Sequence, residues 1–152
     1  MALYDDIVLG FRFGVFFFPG GGPIPNPLDI RFQKVSGISA EIGTTDVQEG
    51  GQNLYTHKLP TRVGYNNLIL ERGMVVGSLL DIEFNAAMSL FEFSPSNVMV
   101  TLLSENKIPL AAWLFLKAYP VKWSTSDLNA DEASVVIDTM ELAYTRMQIL
   151  RI

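Results

Sequence analysis

The sequence contains no cysteine and a single histidine, His57. The first absence excludes disulfides and thiolate metal sites, and it leaves the redox compartment unread. The second excludes a histidine metal cluster and obliges any Ser-His-Asp unit to use this one residue. Charge is scarce too: 18% of residues carry one, against about 25% in an average soluble domain. Hydrophobic residues make up 49%, so too few charges remain to cover a lone globule, and surface hidden in an assembly is expected. The 11 basic residues are outnumbered by 16 acidic ones, giving a net charge of −5. They form no cluster, so no nucleic-acid-binding face is expected. No apolar run approaches the ~18 residues of a membrane span. The opening Met1–Asp6 is acidic, where a signal peptide is basic. A chain of 152 residues made and folded in the cytoplasm as one domain is the expectation.

What is present is strand, and much of it is apolar on both sides. Pro109–Pro120 reads as a long strand closed by a proline that cannot continue a ladder. Alternation puts Leu110, Ala112, Leu114, Leu116 and Ala118 on one face, and Ala111, Trp113, Phe115, Lys117 and Tyr119 on the other. A small antiparallel domain normally wets one face. Here neither looks wet: either the strand is central in the core or its second face is covered by another chain, and the second is the expectation. Leu9–Phe18 repeats the pattern, with Phe11, Phe13, Val15 and Phe17 opposite Arg12, Gly14, Phe16 and Phe18. So does Ala133 to about Ile149, where neither alternating row is clean.

Between these lie shorter signals. Pro19–Pro27 is a proline- and glycine-rich loop. No Gly-Lys-Ser/Thr follows it and its prolines forbid a helix start, which argues against a phosphate cradle. Leu28–Val35 predicts a strand with Leu28, Ile30 and Phe32 inward. A turn at Ser36–Gly37 leads to another carrying Ile38, Ala40 and Ile42. From Thr44 to Tyr65 periodicity dissolves, which is long for a structureless connection. Its tyrosines and Leu54 suit an extended arm ordered by a neighbour. Asn67–Arg72 returns as a strand with Leu68 and Leu70 inward. Ser78-Leu79-Leu80-Asp81 then fits a capping box. Leu80, Phe84, Ala87, Met88 and Phe91 follow as a helical stripe, ended by Ser94-Pro95. Asn97–Leu103 and Ile108–Tyr119 form a hairpin about Ser104–Lys107.

Chemistry is thin. His57 lies in the irregular arm beside Lys58. The neighbours Asp5-Asp6 and Asp131-Glu132 make poor acid/base couples, because adjacent strand residues point to opposite faces. Asp127–Asp131 echoes a calcium loop but lacks its glycine and closing glutamate. No enzyme, cofactor or metal site is expected. The fold class is mainly β: two packed antiparallel sheets forming a barrel or sandwich, with one flanking α-helix.

A series of motifs in one order adds to this: Val35–Ile38, Glu49–Asn53, His57–Pro60, Tyr65–Gly73, Ala112-Trp113 with Phe115, Ala118–Trp123, Asp127–Ala130 and Glu141–Tyr144. Together they resemble the tail-tube proteins of contractile phage tails and extracellular contractile injection systems. The resemblance spans about Phe11 to Tyr144. The haemolysin-coregulated protein of type VI secretion is similar in fold but a poorer motif match. The resemblance implies a non-catalytic subunit of hexameric rings that stack into a hollow tube for cargo. Strands pair across subunits, an arm at about 44–65 reaches the adjacent ring, and a sheath drives the tube out. Partners implied are sister subunits, the sheath protein, baseplate and spike proteins, and tube cargo. The particle is assembled in the bacterial cytoplasm and acts outside the cell or docked at its membrane. Residues expected at contacts between subunits are Glu49, Gly50, Gly51, Asn53, Tyr55, His57, Lys58, Leu59, Pro60, Arg62, Tyr65, Leu114 and Leu116. Leu114 and Leu116 stand where family members often carry polar residues. With Phe16-Phe17-Phe18 and the Pro-Gly loop they mark a candidate first ring at the baseplate. The rival reading is a monomeric barrel that binds a small apolar ligand in an aromatic-lined cavity.

Overall fold

The computed structural model describes residues 13–23, 31–48, 50, 56–74, 79–93, 95–104, 106 and 108–151. In chain order the strands are β1 (Phe13–Phe18), β2 (Lys34–Ser36), β3 (Ala40–Val47), β4 (His57–Tyr65), β5 (Leu68–Gly73), β6 (Ser96–Leu103), β7 (Pro109–Thr125), β8 (Ile137–Ala143) and β9 (Arg146–Arg151), with the helix α1 (Leu79–Asn85) between β5 and β6. All the strand pairings are antiparallel.

The strand singled out by its two apolar faces is the spine of the fold. Pro109–Leu116 of β7 pairs with β6 on one edge and β9 on the other, while Tyr119–Thr125 pairs with β8. The change of partners happens at Lys117, whose φ of +54° is left-handed, an uncommon state for a residue with a side chain. Asn97 Oδ1 accepts the Lys117 N–H at 3.2 Å and holds the corner. The twist breaks the expected alternation, so Ala118 turns into the core and Tyr119 turns out. Pro120 does not end the strand. It sits opposite Leu142 beside a register shift, where the ladder is already interrupted.

The bend makes two layers from one hydrogen-bonded path. The first layer runs β1–β6–β7–β9 and the second runs β7–β8–β5–β2. Val15, Phe17, Val98, Val100 and Phe115 of the first meet Leu68, Leu70, Met140 and Leu142 of the second in one core cluster. The packed antiparallel layers with a flanking helix are as the sequence implies. Barrel closure is not: among the described residues the path stops at β1 and β2 instead of joining. The expected long strand over 133–149 is two strands, because Tyr144-Thr145 turns the chain from the second layer to the first. Thr145 N–H donates to the Leu116 carbonyl at 2.9 Å across that corner.

The helix lays Leu80 and Phe84 over the open end between layers. The cavity there, lined by Phe17, Leu80, Phe84, Val98 and Leu142 among others, is only about 10 Å³. From Ala86 the turns widen to a π-helix, ending at Phe91 with φ +55°. The wider turn rotates later side chains off the α-helical stripe, so Ala87 is buried but Met88 and Phe91 are exposed, contrary to the sequence pattern. Ser78, expected as the cap, lies outside the described residues, as do Leu28 and Ile30 of the expected second strand. Of its described residues only Lys34 and Val35 are strand, within β2, and Phe32 is buried as expected.

A buried arginine ties helix to sheet. Arg72 on β5 is almost wholly buried, with Nη2 3.4 Å from Asp81 Oδ1 and its guanidinium 5.0 Å from the Phe32 ring centroid. Arg72→Met removes the cation and leaves Asp81, part-buried, without it. A loss of roughly 1–3 kcal/mol is expected, held down because Asp81 keeps part of its solvation, read from the denaturant midpoint. A midpoint equal to wild type refutes the tie.

Candidate functional site

The outward faces of the two layers differ in chemistry. On the second, Lys34 Nζ lies 3.9 Å from Glu71, Asn67 Nδ2 donates to Glu141 Oε1 at 2.9 Å, and Lys122 stands opposite Glu141 in register. That face is a solvated one. On the first, the register lays Phe16, Met99, Leu114 and Gln148 side by side, and next to them Gly14, Thr101, Ala112 and Leu150. Phe18 and Leu116 extend the apolar area, with Leu116 opposite Arg146. Ala112 and Thr101 are buried, but Phe16, Phe18, Met99, Leu114 and Leu116 are half-buried and Leu150 is exposed, so their own chain leaves these larger side chains partly uncovered. The same layer ends in two strands, β1 and β9, each paired on one edge only among the described residues. An apolar face between two open edges is a surface built for more copies of strand.

The second surface is the segment read as an irregular arm. Most of it is regular: β3 and β4 form a separate two-stranded ribbon, from Ala40↔Tyr65 to Val47↔His57. Periodicity hides it because both faces are exposed, so no inside-outside alternation was selected. Ile42 and Val63 face each other across the ribbon at 61% and 51% exposure. Ile42 is therefore not the inward residue that alternation from Ile38 suggests. A lone two-stranded ribbon is marginal in water.

The ribbon is rooted in aromatic contacts. Tyr65 stands 5.5 Å from Tyr144, whose ring meets Phe115 edge-on at 4.8 Å. Tyr144 O–H donates to the Asn66 carbonyl at 2.8 Å. Burial, with Tyr65 close by, pushes the Tyr144 phenol above its ordinary pKa, so it stays a donor. The other root passes Gly37, at φ +84°, where any Cβ would run into the Asn67 carbonyl oxygen.

Of the residues expected at contacts, His57, Lys58, Leu59, Pro60 and Arg62 come together as an exposed run on β4, with Tyr65 at its root. Gly50 lies exposed in a turn, while Glu49, Gly51, Asn53 and Tyr55 lie outside the described residues. Leu114 and Leu116 belong to the other surface. Sequence reasoning missed a third feature: Phe91, 82% exposed, meets Phe93 edge-on at 4.9 Å, and Phe93 meets Tyr119 at 5.7 Å. Only the π-turn and the Lys117 corner bring these rings together. Neither has a sequence signature.

No curated protein matches the chain in sequence. Among solved structures, a chain of the anti-feeding prophage baseplate, in its six-fold symmetrised form, is 34% identical over 99% of this chain and 98% of that one, with a TM-score of 0.87. A chain of the sheath-tube complex of an extracellular contractile injection system, PVC, in its extended state, is 16% identical over 100% and 99%, TM-score 0.80. Hcp1 from Salmonella typhimurium shares the fold more distantly, at 14% identity over 89% and 83%, TM-score 0.51. The family model of the T4-like virus tail tube protein gp19 matches residues 9–148. Open strand edges, an apolar sheet face and a projecting ribbon are thus the features of a structural protein and not an enzyme, and the chain belongs to the T4-like tail tube protein family.

Proposed function

We propose that six copies of this chain close into a ring by pairing the free edge of β1 in one subunit with the free edge of β9 in the next. Rings then stack into a hollow tube. The observation that carries this is the first layer itself, largely apolar on its outward face and, among the described residues, open at both edges. Ring closure by rotation satisfies both edges of that layer without leaving an aggregating end there. The core side of that layer is filled by the second layer and α1, which need the larger circumference. Its other side, with Phe16, Met99, Leu114 and Leu116, therefore faces the axis. The β3–β4 ribbon reaches the adjacent ring. A sheath surrounds the tube, cargo passes along the axis, and the particle is assembled in the cytoplasm to act outside the cell or at its envelope. A rival apolar-ligand barrel finds no support, since the layers do not close and the space between helix and sheets is nearly full.

Within this reading, a place at the baseplate end, as the first ring of the tube, is favoured. The supporting observations are the apolar wall and the relative from a baseplate at 34% identity. An apolar wall suits a protein surface seated against it better than free passage of polar cargo. Negative-stain images of the purified chain test the assembly: rings of about six copies are expected, alone or stacked. A chain that stays monomeric at high concentration, with and without baseplate components, overturns it.

A further inference from the structure

We propose that Tyr144 is the positioning residue of the β3–β4 ribbon, fixing the angle at which each subunit holds the ribbon toward its neighbour. The inference deepens the tube reading and rests on it for the ribbon's destination. Beyond Tyr65 the ribbon is exposed on both faces and has no core of its own, so its direction is set at the root. At the root a train of rings runs outward from the deepest part of the core. Phe115 is fully buried, Tyr144 meets it at 4.8 Å, and Tyr65 meets Tyr144 at 5.5 Å. Tyr144 occupies the corner between the two layers, and its neighbour Thr145 is bonded to Leu116, so its backbone cannot drift. Its hydroxyl fixes the Asn66 carbonyl, and the adjacent Asn67 amide is fixed by Glu141. Ring contact and hydrogen bonds together constrain both tilt and rotation of β4 as it leaves the sheet. A ribbon held this way loses little freedom on docking, and preorganisation of that kind appears as affinity.

The chain has no cysteine, so T45C with S124C places spin labels on ribbon and sheet at the only two thiols. Distance distributions are measured on the full-length chain in dispersed form, and rings and tubes are counted in parallel by negative stain. Wild type is expected to give one narrow distribution, and Tyr144→Phe, which keeps the ring contacts but loses the bond to the Asn66 carbonyl, a width between wild type and the alanine variants. Tyr144→Ala and Tyr65→Ala are expected to broaden it at least about two-fold. Tubes should become roughly ten-fold scarcer while rings persist, since an aromatic pair is worth about two- to ten-fold in an equilibrium. Tyr65→Ala leaves the core intact and decides the matter should Tyr144→Ala not fold. Unbroadened distributions in the folded alanine variants overturn the proposal. Broadening in a protein whose wild type builds no tubes supports the positioning role and refutes the tube reading instead.

Discussion

Replacing Phe115 by alanine is expected to lower folding stability by about 3–5 kcal/mol, the usual cost of deleting a buried aromatic ring. A domain of ordinary stability, about 5–15 kcal/mol, would lose a large share of it. Three features place this residue at the high end. Its side chain is fully buried, it stands opposite Val98 on β6 and Met147 on β9, and its ring supports Tyr144. The site therefore joins three strands of one layer and the corner that leads to the other. Chemical denaturation should show the midpoint falling with the slope unchanged, because the surface exposed on unfolding is the same. Loss below about 1 kcal/mol would mean the site refills, and the layers would not be locked at this ring.

The parts of this fold legible in the sequence are those where one face is buried and the other is not. Leu68 and Leu70 of β5 alternate cleanly, and both are fully buried. The hairpin of β6 and β7 announces itself by two apolar runs around Ser104, whose N–H donates to the Ile108 carbonyl at 2.9 Å. Illegibility has the same root. The β3–β4 ribbon buries neither face, so nothing within the subunit selects an alternation there. The sequence from Ala133 to Ile149 looks like one strand because Tyr144 and Thr145 are ordinary strand formers. Only the partners of the two halves, β5 and β7 for one and β7 alone for the other, show that the chain changes layers. Lys117 and Phe91 adopt left-handed backbone without glycine or asparagine to signal it.

The candidate site divides in the same way. Two-sided apolarity, visible in Leu114, Leu116 and Phe16, pointed to hidden surface from composition alone. It did not separate a face turned to the axis from one pressed on a neighbour, because both select the same residue types. Register puts Leu114 and Phe16 in one row with Met99 on the side away from the core, whereas the open edges of that layer among the described residues are the backbones of β1 and β9. In the proposed ring the contacts between subunits belong to backbone edges, which any sequence offers, so side-chain patterns indicate the face before the edges.

The double substitution Leu114→Lys with Leu116→Lys is expected to separate folding from assembly. Both side chains lie on the outward face of the first layer and are only half-buried, so the monomer should melt within about 1 kcal/mol of wild type. In a closed ring every subunit adds two ammonium groups to one concave wall, where like charges repel and water screens them poorly. Ring yield should fall at least about ten-fold at low ionic strength and recover in part in molar salt, where the screening length drops to about 3 Å. Ser124→Lys, an exposed residue of the second layer's β7 segment, supplies one such charge elsewhere and should leave rings intact, while Leu114→Lys alone, with the same single charge, should already lower ring yield. If instead the wall is an outer surface, the double variant assembles as well as wild type at every salt concentration. In that case Phe16, Met99, Leu114 and Leu116 would not face the axis. Loss of rings that salt does not relieve would mean the leucines act by packing against a sister subunit, so the salt response distinguishes a wall from a seam.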